Sequence, residues 1–190
     1  MTASLLHQVC SNVATEPHLQ PVTGEAFPPS TNTRADARLD VRARGFWAND
    51  DKEAFFDVRV FHPFAASYRG SSIATLYRQH ERRKKAEYAR RVLDIERGCF
   101  TPLVLTTTGG MGREATVCFK RLASLLAQKK EEPYSVVMRW LRCRLSFSLL
   151  RSALLCIRGS RSGTQSFAEL ADSHSISLAV SESRLTAAGH

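Results

Sequence analysis

The chain has 190 residues, 43% of them hydrophobic, which is enough for one domain with a core and too few for two full-sized domains. Its 27 Lys and Arg outnumber its 18 Asp and Glu, and the net charge of +9 favours a polyanionic partner such as nucleic acid. No apolar run of about 18 residues is present, and the first residues lack the pattern of a secretory signal. We therefore expect an intracellular protein that has no membrane partner.

The two ends of the chain differ in composition from its middle. Residues 1–33 are rich in Pro, Ser, Thr and Asn without a sustained hydrophobic period, which predicts a linker or the remnant of a longer polyprotein. Residues 161–190 are dominated by small and polar residues, which predicts a disordered tail. The folded domain is therefore predicted to span residues 34–160.

Alternation of apolar and polar residues predicts two strands at the start of this domain. The first runs over residues 38–45 and the second over residues 54–61, where Pro63 stops it. The turn-forming residues between them predict a hairpin-like pair. If the polar faces of the two strands coincide, Asp40 and Asp57 approach each other. The apolar face of the first strand is predicted to hold Leu39, Val41 and Ala43.

The rest of the domain is predicted to contain three helices and one more strand. A helix over residues 75–95 is followed by a buried strand over residues 100–108 and a second helix over residues 114–130. A final, largely apolar helix covers residues 134–158. This order predicts an α/β fold, with a small mixed sheet flanked by helices and an extra C-terminal helix.

Asp40 and Asp57 are the first candidates for chemistry. Hydrolysis of a phosphodiester calls for hard divalent cations, and Mg²⁺ or Mn²⁺ is held by a few carboxylate oxygens together with water. Two strand-borne Asp residues meet that need. The alternative is structural: Asp40 lies in a turn before its strand, and Asp57 pairs with Arg59 on the same face.

The basic helical segment over residues 80–88 carries the second candidate. Most of its charges must face solvent, whereas Lys84 falls on the inward stripe between Tyr77 and Tyr88. An ammonium group there is costly unless it meets carboxylates or a phosphate, and beside a metal-bound water it could stabilise charge in a transition state. The alternative is a lysine that extends past Tyr88 to solvent.

A glycine-rich turn over residues 106–113 joins the third strand to the following helix. Its N–H groups could receive phosphate oxygens at the helix N-terminus, and a contact with the DNA backbone is the functional interpretation. The Gly-Lys-Ser/Thr ending of a P-loop is missing, so we expect no small-molecule cofactor such as a nucleotide. A tight connection without a ligand is the alternative.

The ordered combination of these elements resembles a known family. The matching pieces are Arg38-Leu-Asp40-Val, Phe56-Asp57-Val-Arg-Val60, His80…Lys84-Lys85…Tyr88 and Phe100-Thr-Pro-Leu-Val. Together they resemble the C-terminal, restriction-like endonuclease region of non-LTR retrotransposon polyproteins, in the PD-(D/E)XK superfamily. The resemblance runs from about residue 34 to residue 161, and it implies a restriction-endonuclease-like fold.

The resemblance implies roles for particular residues. Asp40 and Asp57 would be catalytic metal-binding acids, with Asp36 as a second possible match to the first element, and Lys84 or Lys85 would be the catalytic lysine. Two positions depart from the family pattern, because Leu39 replaces a proline and Arg59 stands where a lysine is frequent. The predicted nucleic-acid contacts are Arg59, His80, Arg82, Arg83, Tyr88 and Arg113.

The implied function is Mg²⁺- or Mn²⁺-dependent nicking of DNA at an insertion site, in the nucleus, beside a reverse transcriptase of the same element. The sequence leaves open whether the site is active. One alternative is a nucleic-acid-binding or assembly module that keeps the fold without the chemistry. Another is a helical interaction protein that binds a partner through residues 134–158.

Overall fold

The computed structural model describes residues 1–47 and 52–159. Met1–Ala153 form one compact unit, and the described part of a second unit, which begins at Leu154, is the end of the last helix. The predicted tail, residues 161–190, lies outside the described residues. In chain order the elements are α1 (Thr2–Leu6), β1 (Ser11–Thr15), β2 (Val41–Arg44), β3 (Glu53–Phe61), α2 (Ile73–Asp94), β4 (Cys99–Thr106), α3 (Arg113–Lys130) and α4 (Tyr134–Gly159).

The four strands form one mixed sheet in the order β1-β2-β3-β4. The first two pairings are antiparallel, and β3 and β4 run parallel because the long helix α2 connects them. The predicted pairing of the first two strands is confirmed, with Val41 opposite Phe56 and Arg44 opposite Glu53. The predicted α/β class, with a small mixed sheet flanked by helices, is confirmed as well.

Both faces of the sheet are covered. Phe56 and Leu103 belong to the main core, together with buried residues of α3 and α4. Phe55 faces the other way and packs with Tyr88 and Val92 of α2. The middle of β3 is therefore buried on both sides, as expected for a strand inside a sheet with a parallel neighbour, and not only on one face as its alternation predicted.

The last helix, α4, buries one stripe of side chains against the main core. Val137, Leu141, Leu145 and Leu149 recur at four-residue spacing, which keeps them on one side of the helix. Other large apolar residues of the same helix, such as Phe147, are exposed. Within the described residues, no helix combines the length and the apolar character needed to cross a membrane.

The N-terminal segment is not the linker that its composition predicted. Leu5 and Leu6 of α1 are buried in the main core, and β1 extends the sheet by pairing with β2. The physical reason is local, because one turn of helix with two adjacent leucines suffices to anchor the segment, and β1 covers what would otherwise be an open sheet edge.

The polar stretch that follows β1 is held against α2 by one buried side chain. Arg91 has no exposed surface, and its guanidinium donates hydrogen bonds to the backbone carbonyls of Gln20, Asn32 and Arg34 at 2.7–2.9 Å. Leu19 adds an apolar contact under the same helix. Residues 19–34 are thus ordered by a cation that binds backbone oxygens, an interaction that leaves no pattern in their side chains.

Candidate active site

Asp57 lies in the middle of β3, on the face covered by α2. Asp57 is only 7% exposed, because β2 and β4 flank the strand and α2 lies above it. A carboxylate at such a position needs a compensating charge or several hydrogen bonds. The identity of its partners therefore decides what the position can do.

The partner of Asp57 is Lys84 of α2. Lys84 Nζ lies 3.2 Å from Asp57 Oδ1 and 3.0 Å from Oδ2, and Glu87 Oε2 is 3.8 Å away on the next helical turn. The ammonium also lies 5.2 Å from the centre of the Tyr88 ring. Of the two kinds of partner that the sequence interpretation allowed for Lys84, a carboxylate or a phosphate, the structure shows carboxylates.

The two charges of this pair influence each other's protonation. Burial raises the pKa of Asp57 above its ordinary value, and the neighbouring Asp40 and Glu87 raise it further, while Lys84 lowers it without cancelling the rise. Burial alone would lower the pKa of Lys84, but its hydrogen bond to Asp57 and the charges of Asp57 and Glu87 raise it above the ordinary value. Lys84 is thus held as a cation beside a carboxylate that is costly to ionise.

Asp40 lies just before β2 and beside Asp57. Its Oδ2 accepts a hydrogen bond of 2.5 Å from the backbone N–H of Val58, at the point where the pairing of β2 with β3 has ended at Val41 and Phe56. Asp40 therefore takes the place of a missing strand partner, and its charge acts on Asp57. Asp36, the second match to the family's first element, is exposed.

The beginning of β2 differs from its prediction. The strand starts at Val41 and not at residue 38, and Leu39 packs under α2 while Val41 packs in the main core on the other side. The predicted shared face of Leu39 and Val41 is therefore wrong. Asp40 lies between these two residues in the sequence, and its carboxylate accepts the hydrogen bond from Val58.

The donor set around Asp57 fits a hard divalent cation in part. Asp57 Oδ2 is buried and lies 3.0 Å from the ammonium of Lys84, so a metal ion would share this carboxylate with the lysine. Among residues 1–47 and 52–159, no three His, Cys, Asp or Glu side chains are grouped closely enough to enclose a metal. An ion here would take one or two carboxylates and complete its shell with water and phosphate, as Mg²⁺ does.

A small basic cleft of about 190 Å³ opens beside the ion pair. We call it the basic cleft, and it is lined by Arg59, His80, Arg83, Lys84 and Glu87. The helical residues lie on one face of α2 because they are three or four positions apart, and Arg59 follows Asp57 on the same face of β3. Four of the five groups carry or can carry positive charge, which suits a phosphate.

His80 is the anchored member of this cleft. Its Nε2 is hydrogen-bonded to the Tyr68 hydroxyl at 3.2 Å, and its ring centre lies 4.5 Å from that of Phe61. Partial burial lowers the pKa of His80, and the charges of Arg59 and Arg83 lower it further. The imidazole is therefore biased towards its neutral form.

Other predicted site residues lie elsewhere. Lys85 Nζ contacts Glu114 Oε1 at 2.6 Å and links α2 to α3, so the structure pairs Lys84 and not Lys85 with Asp57. Tyr88, a predicted DNA contact, is buried under α2, where Asn32 donates a hydrogen bond to its hydroxyl. A helix turn spans 3.6 residues, so neighbouring positions face different directions. Arg82 and Arg113 are exposed, on α2 and at the start of α3.

The glycine-rich turn before α3 has a structural partner that the sequence interpretation missed. Glu81 of α2 is buried, and its Oε1 accepts a hydrogen bond of 3.0 Å from the N–H of Glu114 in the first turn of α3. A Cβ atom at Gly112 would overlap that Glu81 oxygen. The helix N-terminus considered for phosphate is thus already capped by a carboxylate, and Gly112 permits the close approach.

The function has to be inferred from the site itself, because comparisons of the chain with protein-family models, with curated proteins and with solved structures found no match.

Proposed function

We propose that this chain is a Mg²⁺- or Mn²⁺-dependent DNA endonuclease domain with a restriction-endonuclease-like fold. The observation that carries the proposal is the ion pair of Asp57 and Lys84, with Asp40 beside it, because Lys84 also lines the basic cleft. Acids on a strand and a lysine on the facing helix are the groups that phosphodiester hydrolysis with a metal ion requires.

Fold stability alone gives little reason for this arrangement. Removing two charges from water costs about as much as their attraction returns, so a buried ion pair adds little net stability. The raised pKa of Asp57 shows that this carboxylate is ionised at a cost, even with Lys84 in place. Ionisable groups kept under such conditions in a cleft are candidates for function.

The residues of the site have distinct tasks in this proposal. Asp57 and Asp40 would hold the metal ion, which when bound supplies a Lewis acid and a water of lowered pKa. Lys84 would donate hydrogen bonds to a phosphate oxygen or to the attacking water. Arg59 and Arg83, both exposed in the cleft, would hold the diester by its charge and orient it towards Asp57.

The wider context of the proposal comes from the sequence resemblance. If the chain derives from a retrotransposon polyprotein, its reaction is the nicking of one DNA strand at an insertion site, in the nucleus. The partner would then be the reverse transcriptase of the same element, which extends the released end.

A second candidate function is a nucleic-acid-binding or assembly module without catalysis. It is favoured by the direct contact of Lys84 with both oxygens of Asp57, which neutralises the carboxylate without a metal ion. The basic cleft serves this function equally well, since phosphate binding needs only the cations.

A plasmid-nicking assay with Mg²⁺ or Mn²⁺ distinguishes the two functions. We expect Asp57→Asn to reduce nicking by at least about 100-fold, because it removes the charge that would hold the metal, while DNA binding is retained. Asp94→Asn is the matched control, since Asp94 is an exposed partner of Arg90 on the same helix as Lys84.

The outcomes of this assay separate the alternatives clearly. Nicking that Asp57→Asn leaves unchanged would show that the activity does not reside at this site. A wild-type chain that binds DNA but nicks with neither metal would support the binding module.

A further inference from the structure

A second cleft adjoins the basic cleft, and one side of it is a loop that the sequence did not single out. Its volume is about 570 Å³, within the range of binding pockets for small molecules or single nucleotides. We call it the loop cleft, because residues 30–34 form one side of it and α2 forms the other. It shares Arg83 and Glu87 with the basic cleft.

The loop that forms this cleft is held rigidly. The N–H of Asn32 donates to the carbonyl of Glu87 at 2.8 Å, and the N–H of Arg34 donates to Asn32 Oδ1 at 3.1 Å. Arg91 binds the carbonyls of both loop residues from below. Because the backbone is fixed in this way, a ligand would meet a preformed surface and would not have to order the loop.

Thr31 is the member of the cleft that indicates a ligand. The residue is 92% buried, and its hydroxyl oxygen has no hydrogen-bond partner among the described residues. Buried hydroxyl groups are nearly always partnered, and this oxygen is also closed to solvent, so a ligand in the cleft bonds to it only when the Thr31 side chain rotates towards the cleft. Its neighbours Ser30 and Thr33 offer two more hydroxyl groups.

The charges of the loop cleft favour an anion. Arg34 and Arg83 are exposed cations in its wall, and the single acid, Glu87, already has the ammonium of Lys84 at 3.8 Å. Hydroxyl and guanidinium groups are common donors to the phosphates and sugars of nucleic acids. The chemistry of the cleft thus matches a nucleotide within a strand.

We propose that the loop cleft binds the DNA nucleotide next to the phosphate that occupies the basic cleft. The inference rests on the proposed function, since it takes the basic cleft as the position of the reacting phosphate. The two clefts share Arg83 and Glu87, so an occupant of one lies directly beside an occupant of the other, as consecutive nucleotides of one strand do.

Binding of a short fluorescein-labelled DNA duplex, followed by anisotropy in EDTA, tests this inference without cleavage. We expect Arg34→Ala to weaken binding about tenfold and to reduce the slope of log Kd against log salt concentration by about one, as loss of a phosphate contact does. Arg38→Ala is the matched control: Arg38 is exposed four residues further on and pairs with Glu16 at 3.6 Å. Its effect should stay within about twofold.

Thr31→Val tests the hydroxyl group without changing the shape of the side chain. We expect binding to weaken about fivefold while the melting temperature stays the same or rises, because a buried hydroxyl without a partner does not stabilise the free protein. A drop in melting temperature together with unchanged binding would assign the hydroxyl to the fold and overturn its role in binding.

The remaining outcomes separate this inference from the proposed function. If Arg34→Ala binds as well as Arg38→Ala while Asp57→Asn abolishes nicking, the nucleotide site in the loop cleft is wrong and the proposed endonuclease function stands. If Arg34→Ala and Thr31→Val weaken DNA binding although the wild type does not nick DNA, the nucleotide site in the loop cleft stands and the proposed endonuclease function is wrong. Tighter binding of RNA of the same sequence would overturn the assignment to DNA.

Discussion

The two faces of the central sheet are built on different principles. On the side of α3 and α4, the described residues bury a large apolar cluster, the main core, and no charged side chain. On the side of α2, the described part of the chain buries three charged residues: Asp57, Glu81 and Arg91. Apolar burial stabilises a fold, whereas buried charge consumes stability unless it is compensated. Apolar burial on the side of α3 and α4 therefore offsets the cost of burying charge on the side of α2.

The three buried charges differ in how completely they are compensated. Arg91 donates to three backbone carbonyls, and Glu81 caps α3 through the N–H of Glu114. Asp57 is compensated by the ammonium of Lys84, which lies 3.0 Å and 3.2 Å from its two oxygens. Its partner Lys84 also lines the basic cleft, which sets this charge apart from the two that organise the fold.

The largest expected effect lies on the apolar face. Phe56→Ala should lower the free energy of unfolding by about 3–5 kcal/mol, because it leaves a cavity in the main core. Urea denaturation measures the change, and Phe64→Ala, at a residue that is 72% exposed, is the control with an expected loss below about 0.5 kcal/mol. A loss of less than about 1 kcal/mol for Phe56→Ala would mean that this face is not the main source of stability.

A smaller loss is expected on the charged face. Lys84→Met removes the counter-ion of Asp57 and should cost about 2 kcal/mol, less than for a fully buried pair, because the Lys84 side chain keeps 21% of its exposure. The double variant Asp57→Asn/Lys84→Met should recover most of this loss, since it leaves no unpaired charge. Equal stability of the single and double variants in urea would show that the two charges do not depend on each other.

The smallest effect is a dependence on pH. The pKa of Asp57 is raised above its ordinary value of 3.8, so folding favours the neutral carboxyl. Its contribution to stability is complete below that ordinary pKa and is lost as pH rises through the folded-state pKa. Asp57→Asn, which stays neutral, should therefore gain stability over the wild type as pH rises, and the two should converge in acid.

Urea unfolding of both proteins across the acidic range measures this difference, with Asp94→Asn as the control. A difference that shrinks as pH rises would mean that the ammonium of Lys84 dominates and lowers the pKa of Asp57. The ion pair would then stabilise the face under α2, and that face would no longer differ from the apolar face in its contribution to stability.

Much of the fold could be predicted from local patterns. Alternation predicted β3, and three-to-four spacing predicted α2 and α3, because these periods reflect backbone geometry that each segment carries within itself. The inward stripe of α2 predicted that Lys84 would meet carboxylates or a phosphate, and the structure places Asp57 beside it. The choice between Lys84 and Lys85 followed from the same helical phase.

Other features had no local pattern. Residues 19–34 resemble a linker because their order comes from Arg91, whose acceptors are carbonyls common to every residue. Glu81 looks like any charge on a helix, and its role depends on the N-terminus of another helix. Tyr88 was expected at a DNA surface but is covered by the loop at Asn32.

By itself, the sequence determined the elements and the polarity of their faces, since both follow from residue order and the geometry of helix and strand. Only the tertiary structure decided that Asp40 lies beside Asp57, that Lys84 spans the gap from helix to strand, and that residues 30–34 form a second cleft. These relations join residues that lie far apart in the sequence: Lys84 is 27 positions from Asp57, and Arg91 is 59 positions from Asn32. They arise when separate elements pack, and no period within one segment encodes them.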